Sequence, residues 1–325
     1  MGGVDRRRFL AVTAAPLVLG GVPEAFARPL SGRRLALVTA DLEASVVALD
    51  LTTGRVVRRL RTPADPRSIE GVGFGGALVA HTALGRLSYV DSRLRVREVD
   101  GTLGEPRYTA VAAPRRLAYV SDSGRREIAV VDVAALRVVA RLRVPGPVRH
   151  LSLDRTGTRL WAVLGNVSPT VAVVDTSRPR EPRLLGTVRP PFAAHDVGFT
   201  PGGRRVWLTS GDRERLAIHD AATGRLVRTL RGDAPPQHVT FLDDRAYVAS
   251  GDDGLLRVHR LDGHLLRTTR IPVGSYNVQS ARRAVLTPSL SQGTISVLSD
   301  RGAVRLRRQV ARSSHDACVV VVPAQ

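Results

Sequence analysis

Residues 117–153 read LAYVSDSGRREIAVVDVAALRVVARLRVPGPVRHLSL, and the punctuation of this stretch decides the fold. Three alternating runs, at 117–121, 128–132 and 138–144, carry the period of two that marks half-buried strands. Pro145-Gly146-Pro147 then leads into a fourth run at 150–153. Near-copies recur along almost the whole chain. Aligned on the residue that closes the second run, they fall at Asp50, Asp91, Asp132, Asp175, Asp220, Arg260 and Ser299, at spacings of 41, 41, 43, 45, 40 and 39. A period of this size is that of a four-stranded propeller blade, and no helical pattern separates the copies. The reading is therefore an all-β chain: a seven-bladed β-propeller of four-stranded blades.

The ring closes between the two ends of the repeat region. The first recognisable strand, at 35–39, matches the second strand of a complete blade. Its missing inner partner lies at the far end, where His315-Asp316-Ala317-Cys318-Val319-Val320 aligns with His195-Asp196-Val197-Gly198-Phe199. The C-terminal strand is expected to complete the first blade.

The unit resembles the YVTN family of bacterial propellers, through Tyr119-Val120-Ser121-Asp122 with Gly124, followed by Ile128-Ala129-Val130-Val131-Asp132. Weaker versions are Trp207-Leu208-Thr209-Ser210 and Tyr247-Val248-Ala249-Ser250. The resemblance covers about residues 33 to 322. It implies the fold and leaves the activity open, since propellers of this kind include lactonases and proteins with no known reaction.

The chain start carries Asp5-Arg6-Arg7-Arg8-Phe9-Leu10, an apolar run at 11–22, and Ala25-Phe26-Ala27. This is similar to a twin-arginine export signal, with Arg6-Arg7 as the pair and cleavage after Ala27. Asp5 and Ala11 depart from the usual pattern. The apolar run is twelve residues, broken by Pro16 and Gly20-Gly21, whereas a spanning helix needs about 20. The expected organisation is an export signal at 1–27 and one propeller at 28–325, with a periplasmic, cell-wall associated or extracellular location and no transmembrane segment after cleavage. Cys318 is the single cysteine, so no internal disulfide forms.

All 49 basic residues are Arg, against 29 acids, a net charge of +20. Total absence of Lys points to a coding bias. Many arginines fall in the outer strand of each unit, among them Arg58, Arg59, Arg137, Arg141, Arg305 and Arg307, where charge hinders edge-to-edge pairing. Aromatic residues are 4% of the chain and do not interleave with the arginines. A specific nucleic-acid surface is therefore disfavoured, while weak adsorption to anionic cell-envelope polymers fits the charge.

No G-x-S-x-G, H-E-x-x-H, phosphate loop or cysteine metal motif occurs, and no catalytic residue is assigned. Asp50, Asp132, Asp175 and Asp220 repeat at one position and read as turn residues; His219 and His259 read as local packing or capping. Polar residues that open the innermost strands converge on one mouth of the central channel. The candidate ligand site is His150, His195, Asp196, His238, Tyr276, Asn277, His315 and Asp316. Of these, His150, His195, His238 and His315 form an alternative divalent-metal set, since neutral imidazole is a transition-metal ligand. The competing explanation is a water-filled channel whose His and Asp bond one another. The leading function is a non-catalytic scaffold that binds a small ligand or protein at this face. The alternative is an enzyme, either a lactonase-like hydrolase or a metal- or quinone-dependent oxidoreductase.

Overall fold

The computed structural model describes residues 32–73, 75–112, 116–281 and 283–323. Residues 1–27, expected to be an export signal, lie outside the described residues. Among the described residues, seven four-stranded antiparallel sheets form a ring, with helix confined to two single turns at Asp41–Glu43 and Thr82–Leu84. No described helix is long and apolar enough to cross a membrane.

Counted in chain order, the innermost strands of blades two to seven are Pro66–Gly73, Pro106–Ala112, Leu151–Leu153, Asp196–Phe199, His238–Leu242 and Gln279–Ala281. The innermost strand of blade one is Ala317–Val322, which pairs with Arg33–Ala40. Closure by the C-terminal strand is thus as the repeat predicts. Seven apolar clusters fill the seven junctions between blades. Each blade contributes one face to each neighbour, which is why the inner strands alternate less cleanly than half-buried strands do: both of their faces are covered. The largest wedges are Trp161, edge-on to Phe199 between blades four and five, and Trp207, edge-on to Phe241 between blades five and six.

The repeated aspartates hold turns. Asp50 Oδ1 accepts the amides of Thr52 and Thr53, both at 2.8 Å. Asp132 and Asp220 do the same for the residues two and three further on, and Asp175 for Ser177. The outer strands expose their arginines, as in Arg137–Arg143 and Leu226–Arg231. His219 and His259 cap the turns beside them, each ring Nδ1 meeting the carbonyl of Gly224 or Gly263.

Candidate functional site

One residue at or near the start of each innermost strand lines the channel at a corresponding position in its blade. From blade one to blade seven these are Asp316, Ser68, Tyr108, His150, Asp196, His238 and Asn277. A hydroxyl on the adjacent strand fixes this position in three blades, where Thr39, Ser121 and Thr209 accept the amides of Asp316, Tyr108 and Asp196.

Most of these side chains reach to the following blade. Asp316 accepts the amide of Ile69 at 3.0 Å, and Asp196 that of Val239 at 2.9 Å. Ser68 donates to the carbonyl of Arg107, and Asn277 to that of His315. Tyr108 stacks on His150, with ring centroids 4.2 Å apart. The ring is stitched by side chain to backbone, blade after blade.

His150 breaks the pattern. It is 1% exposed, and neither of its ring nitrogens makes a hydrogen bond of good geometry, although the backbone of His195 lies near. Its neighbours are two further imidazoles, His195 at 4.5 Å and His238 at 4.6 Å between centroids, and these two are 5.2 Å from each other. One ligand atom from each of the three lies within 4.8 Å of the others. Tetrahedral coordination at about 2.1 Å would bring such atoms to about 3.4 Å, so closure requires side-chain rotations that shorten the widest gap by at most about 1.4 Å.

Surrounding groups select the form of each imidazole. His195 Nδ1 donates to the carbonyl of Asn166 at 2.6 Å, which leaves Nε2 as the free lone pair. A Cβ on Gly211, at φ 76°, would stand 2.6 Å from that of His195, so the glycine allows the close approach that seats this ring. His238 Nδ1 faces Asp196 Oδ2 at 3.5 Å. Burial, with repulsion from His195 and His238, holds His150 well below the ordinary histidine range. His195 is pushed down to about 4 by burial and by His238. His150 and His195 are thus neutral at neutral pH, the form that ligates a metal.

His315 stands apart from the cluster. Its Nδ1 lies 3.2 Å from Asn277 Nδ2, and burial and Arg67 push it down to about 3. Tyr276 is turned the other way, its hydroxyl donating to Asp252 at 2.7 Å. Of the eight sequence candidates, the structure thus brings together His150, His195 and His238 with Asp196 alongside. Asn277, His315 and Asp316 lie further round the same mouth, while Tyr276 holds a loop. The four-histidine set reduces to three.

Below the ring a cavity of about 680 Å³ follows the channel axis, lined from all seven blades. Of its carboxylate pair, Asp316 was a sequence candidate and Glu70 was missed. Burial raises Asp316 to about 7, and burial with the nearby Asp316 raises Glu70 to about 8, although Gln279 donates to Glu70 at 3.1 Å. The available signal was parity: Glu70 lies two residues beyond Ser68 on the same strand.

No family model matches the sequence, and no curated protein does. Solved propellers resemble the fold. A functionally unknown protein from Desulfotomaculum acetoxidans is 10% identical, with a TM-score of 0.75 over 89% of this chain and 99% of that one. A protein from Lactobacillus plantarum is 14% identical, TM-score 0.72, over 89% and 99%. A candidate 6-phosphogluconolactonase from Bacteroides uniformis is 11% identical, TM-score 0.72, over 89% and 100%.

Proposed function

We propose that this chain is a binding propeller whose channel mouth holds a divalent transition metal on His150, His195 and His238. The observation that carries this reading is the buried His150 ring, packed against the imidazoles of His195 and His238 with neither of its nitrogens in a well-formed hydrogen bond. A buried polar group without a partner costs about 1–3 kcal/mol, and a metal ion repays that cost. Imidazole favours zinc, copper, nickel or iron, and three protein ligands leave a position open for a small ligand. A hydrolytic role needs a free base beside that position. Asp196 is the nearest carboxylate, and it is engaged with the Val239 amide and His238, so binding is favoured over catalysis.

The same reading takes residues 1–27 as a twin-arginine signal ahead of a YVTN-like propeller, exported after folding. Mass spectrometry of the exported protein should find a new N-terminus at Arg28. An intact Met1 end contradicts it.

The metal is tested by zinc titration of metal-stripped protein, read as melting temperature. A saturable rise that His195→Ala and His238→Ala abolish, and that His315→Ala retains, is the expected outcome. No rise in the wild type, or a rise in the double variant, sinks the assignment.

A further inference from the structure

The residue just before the ring position points a second circle of side chains at the mouth. In blades two, three and four it is arginine each time: Arg67, Arg107 and Arg149, each preceding Ser68, Tyr108 or His150. On either side of this arc the circle continues with His315 and His195. The three arginines, with Tyr108 and His315, line one small recess of about 10 Å³, room for one water-sized group.

Their charges are incompletely answered. Arg67 reaches Asp41 at 3.2 Å and Asp65 at 3.9 Å, and Arg107 reaches Glu105 at 3.0 Å. Arg149 forms no ion pair among the described residues, and the Nε atoms of both Arg107 and Arg149 are buried without a hydrogen-bond partner. The arginines of the outer strands are spread along exposed edges, whereas these three line one recess. Arg149 sits within electrostatic reach of Arg107 and Arg67, with the Tyr108 side chain as its hydrogen-bonding neighbour. Guanidinium groups crowded in this way want an oxyanion, which they bind through paired N–H donors.

We propose that Arg67, Arg107 and Arg149 form an oxyanion seat, taking one carboxylate or phosphate group of a small anionic ligand. The seat stands on its own residues. Its extension rests on the metal reading above and on reach: Arg149 is close enough to act electrostatically on both His150 and His195, so the seated ligand can place a second oxygen on the open position of the metal. The mouth then selects anionic chelating molecules over neutral ones. The size of the recess admits an oxygen of the ligand and leaves its bulk in the mouth.

The test titrates metal-stripped protein with inorganic phosphate and, separately, with acetate, by calorimetry, and repeats both after loading with Co²⁺, whose visible spectrum reports coordination. Metal-free wild type should bind at least one of the two anions. Arg149→Gln should weaken that binding at least tenfold, and Arg149→Lys should recover part of it. Co²⁺ loading should tighten the anion at least tenfold and shift the cobalt bands. The anion that responds identifies the class, phosphate or carboxylate. Unaltered binding in a folded Arg149→Gln protein overturns the seat, as does no binding of either anion by the wild type. Arg149-dependent anion binding without Co²⁺ uptake leaves the seat standing and removes the metal.

Discussion

Asp196 Oδ2 lies 3.5 Å from Nδ1 of His238 and accepts the Val239 amide at 2.9 Å. The carboxylate is thereby fixed by backbone and set beside an imidazole of the cluster. Such a partner fixes the tautomer and raises ligand basicity, and its loss costs a metal site about 10–100-fold in affinity. Asp196→Asn keeps an acceptor for Val239 but loses the charge. It should weaken zinc by that factor in a chelator competition while leaving the metal-free melt unchanged.

His150 offers the opposite signature. If it is retained for ligation, removing its unbonded nitrogens should relieve the metal-free protein. Phe in its place keeps the stack on Tyr108. His150→Phe is expected to raise the metal-free melting temperature, by the few degrees that about 1 kcal/mol gives in a chain of this size, and to abolish the zinc response. A lower melting temperature would mark His150 as a structural residue.

The pH dependence of stability should have a maximum. The depressed histidines are neutral when folded and accept protons near 6.5 when unfolded, so their contribution is present above that value. It is lost as pH falls towards their folded values, about 4 for His195 and 3 for His315. The raised carboxyls act in reverse. Glu70 and Asp316 are neutral when folded, up to about 8 and 7, against 4.5 and 3.8 as ordinary values. Their contribution is present at low pH and lost as pH rises to about 8. Above 6.5 the carboxyls act without the histidines, so urea unfolding should show stability falling between about pH 6.5 and 8. Glu70→Gln should flatten that limb and leave the acid limb in place.

Closure is tested by truncation. Ala317–Val322 supplies the innermost strand of blade one and packs Cys318 and Val320 into the junction with blade two. Its loss uncovers Arg33–Ala40 along one edge and opens two junctions. Deletion from residue 314 should abolish cooperative unfolding by calorimetry; a truncated chain that melts like the full protein contradicts the closed ring.

The fold was legible because the blade repeats its punctuation. Asp132 and its counterparts mark one turn per blade, and the match between 315–320 and 195–199 gives the closure. Less of the site could be read. Side chains alternate along a strand, and His195 occupies the position before Asp196 whereas His150 and His238 occupy the equivalent of Asp196 itself. Two registers are thus interleaved, and a one-residue offset decides which candidates meet. Arg67, Arg107 and Arg149 were hidden for a different reason: in a chain where every base is arginine, composition gives no contrast, and geometry alone separates three arginines lining one recess from the many on outer edges.

The strand that closes the ring comes last among the described strands, yet His150, His195 and His238 sit on blades four, five and six. During synthesis these three blades are complete while the structure is still an open arc, free to flex at its ends in a way that the finished ring is not. On the metal proposal, a cation caught then would act as a clasp between neighbouring blades before the circle exists. One that arrives afterwards must enter a mouth already held at fixed radius. The chronology of assembly therefore bears on occupancy, and loading during refolding should outpace loading of the finished protein.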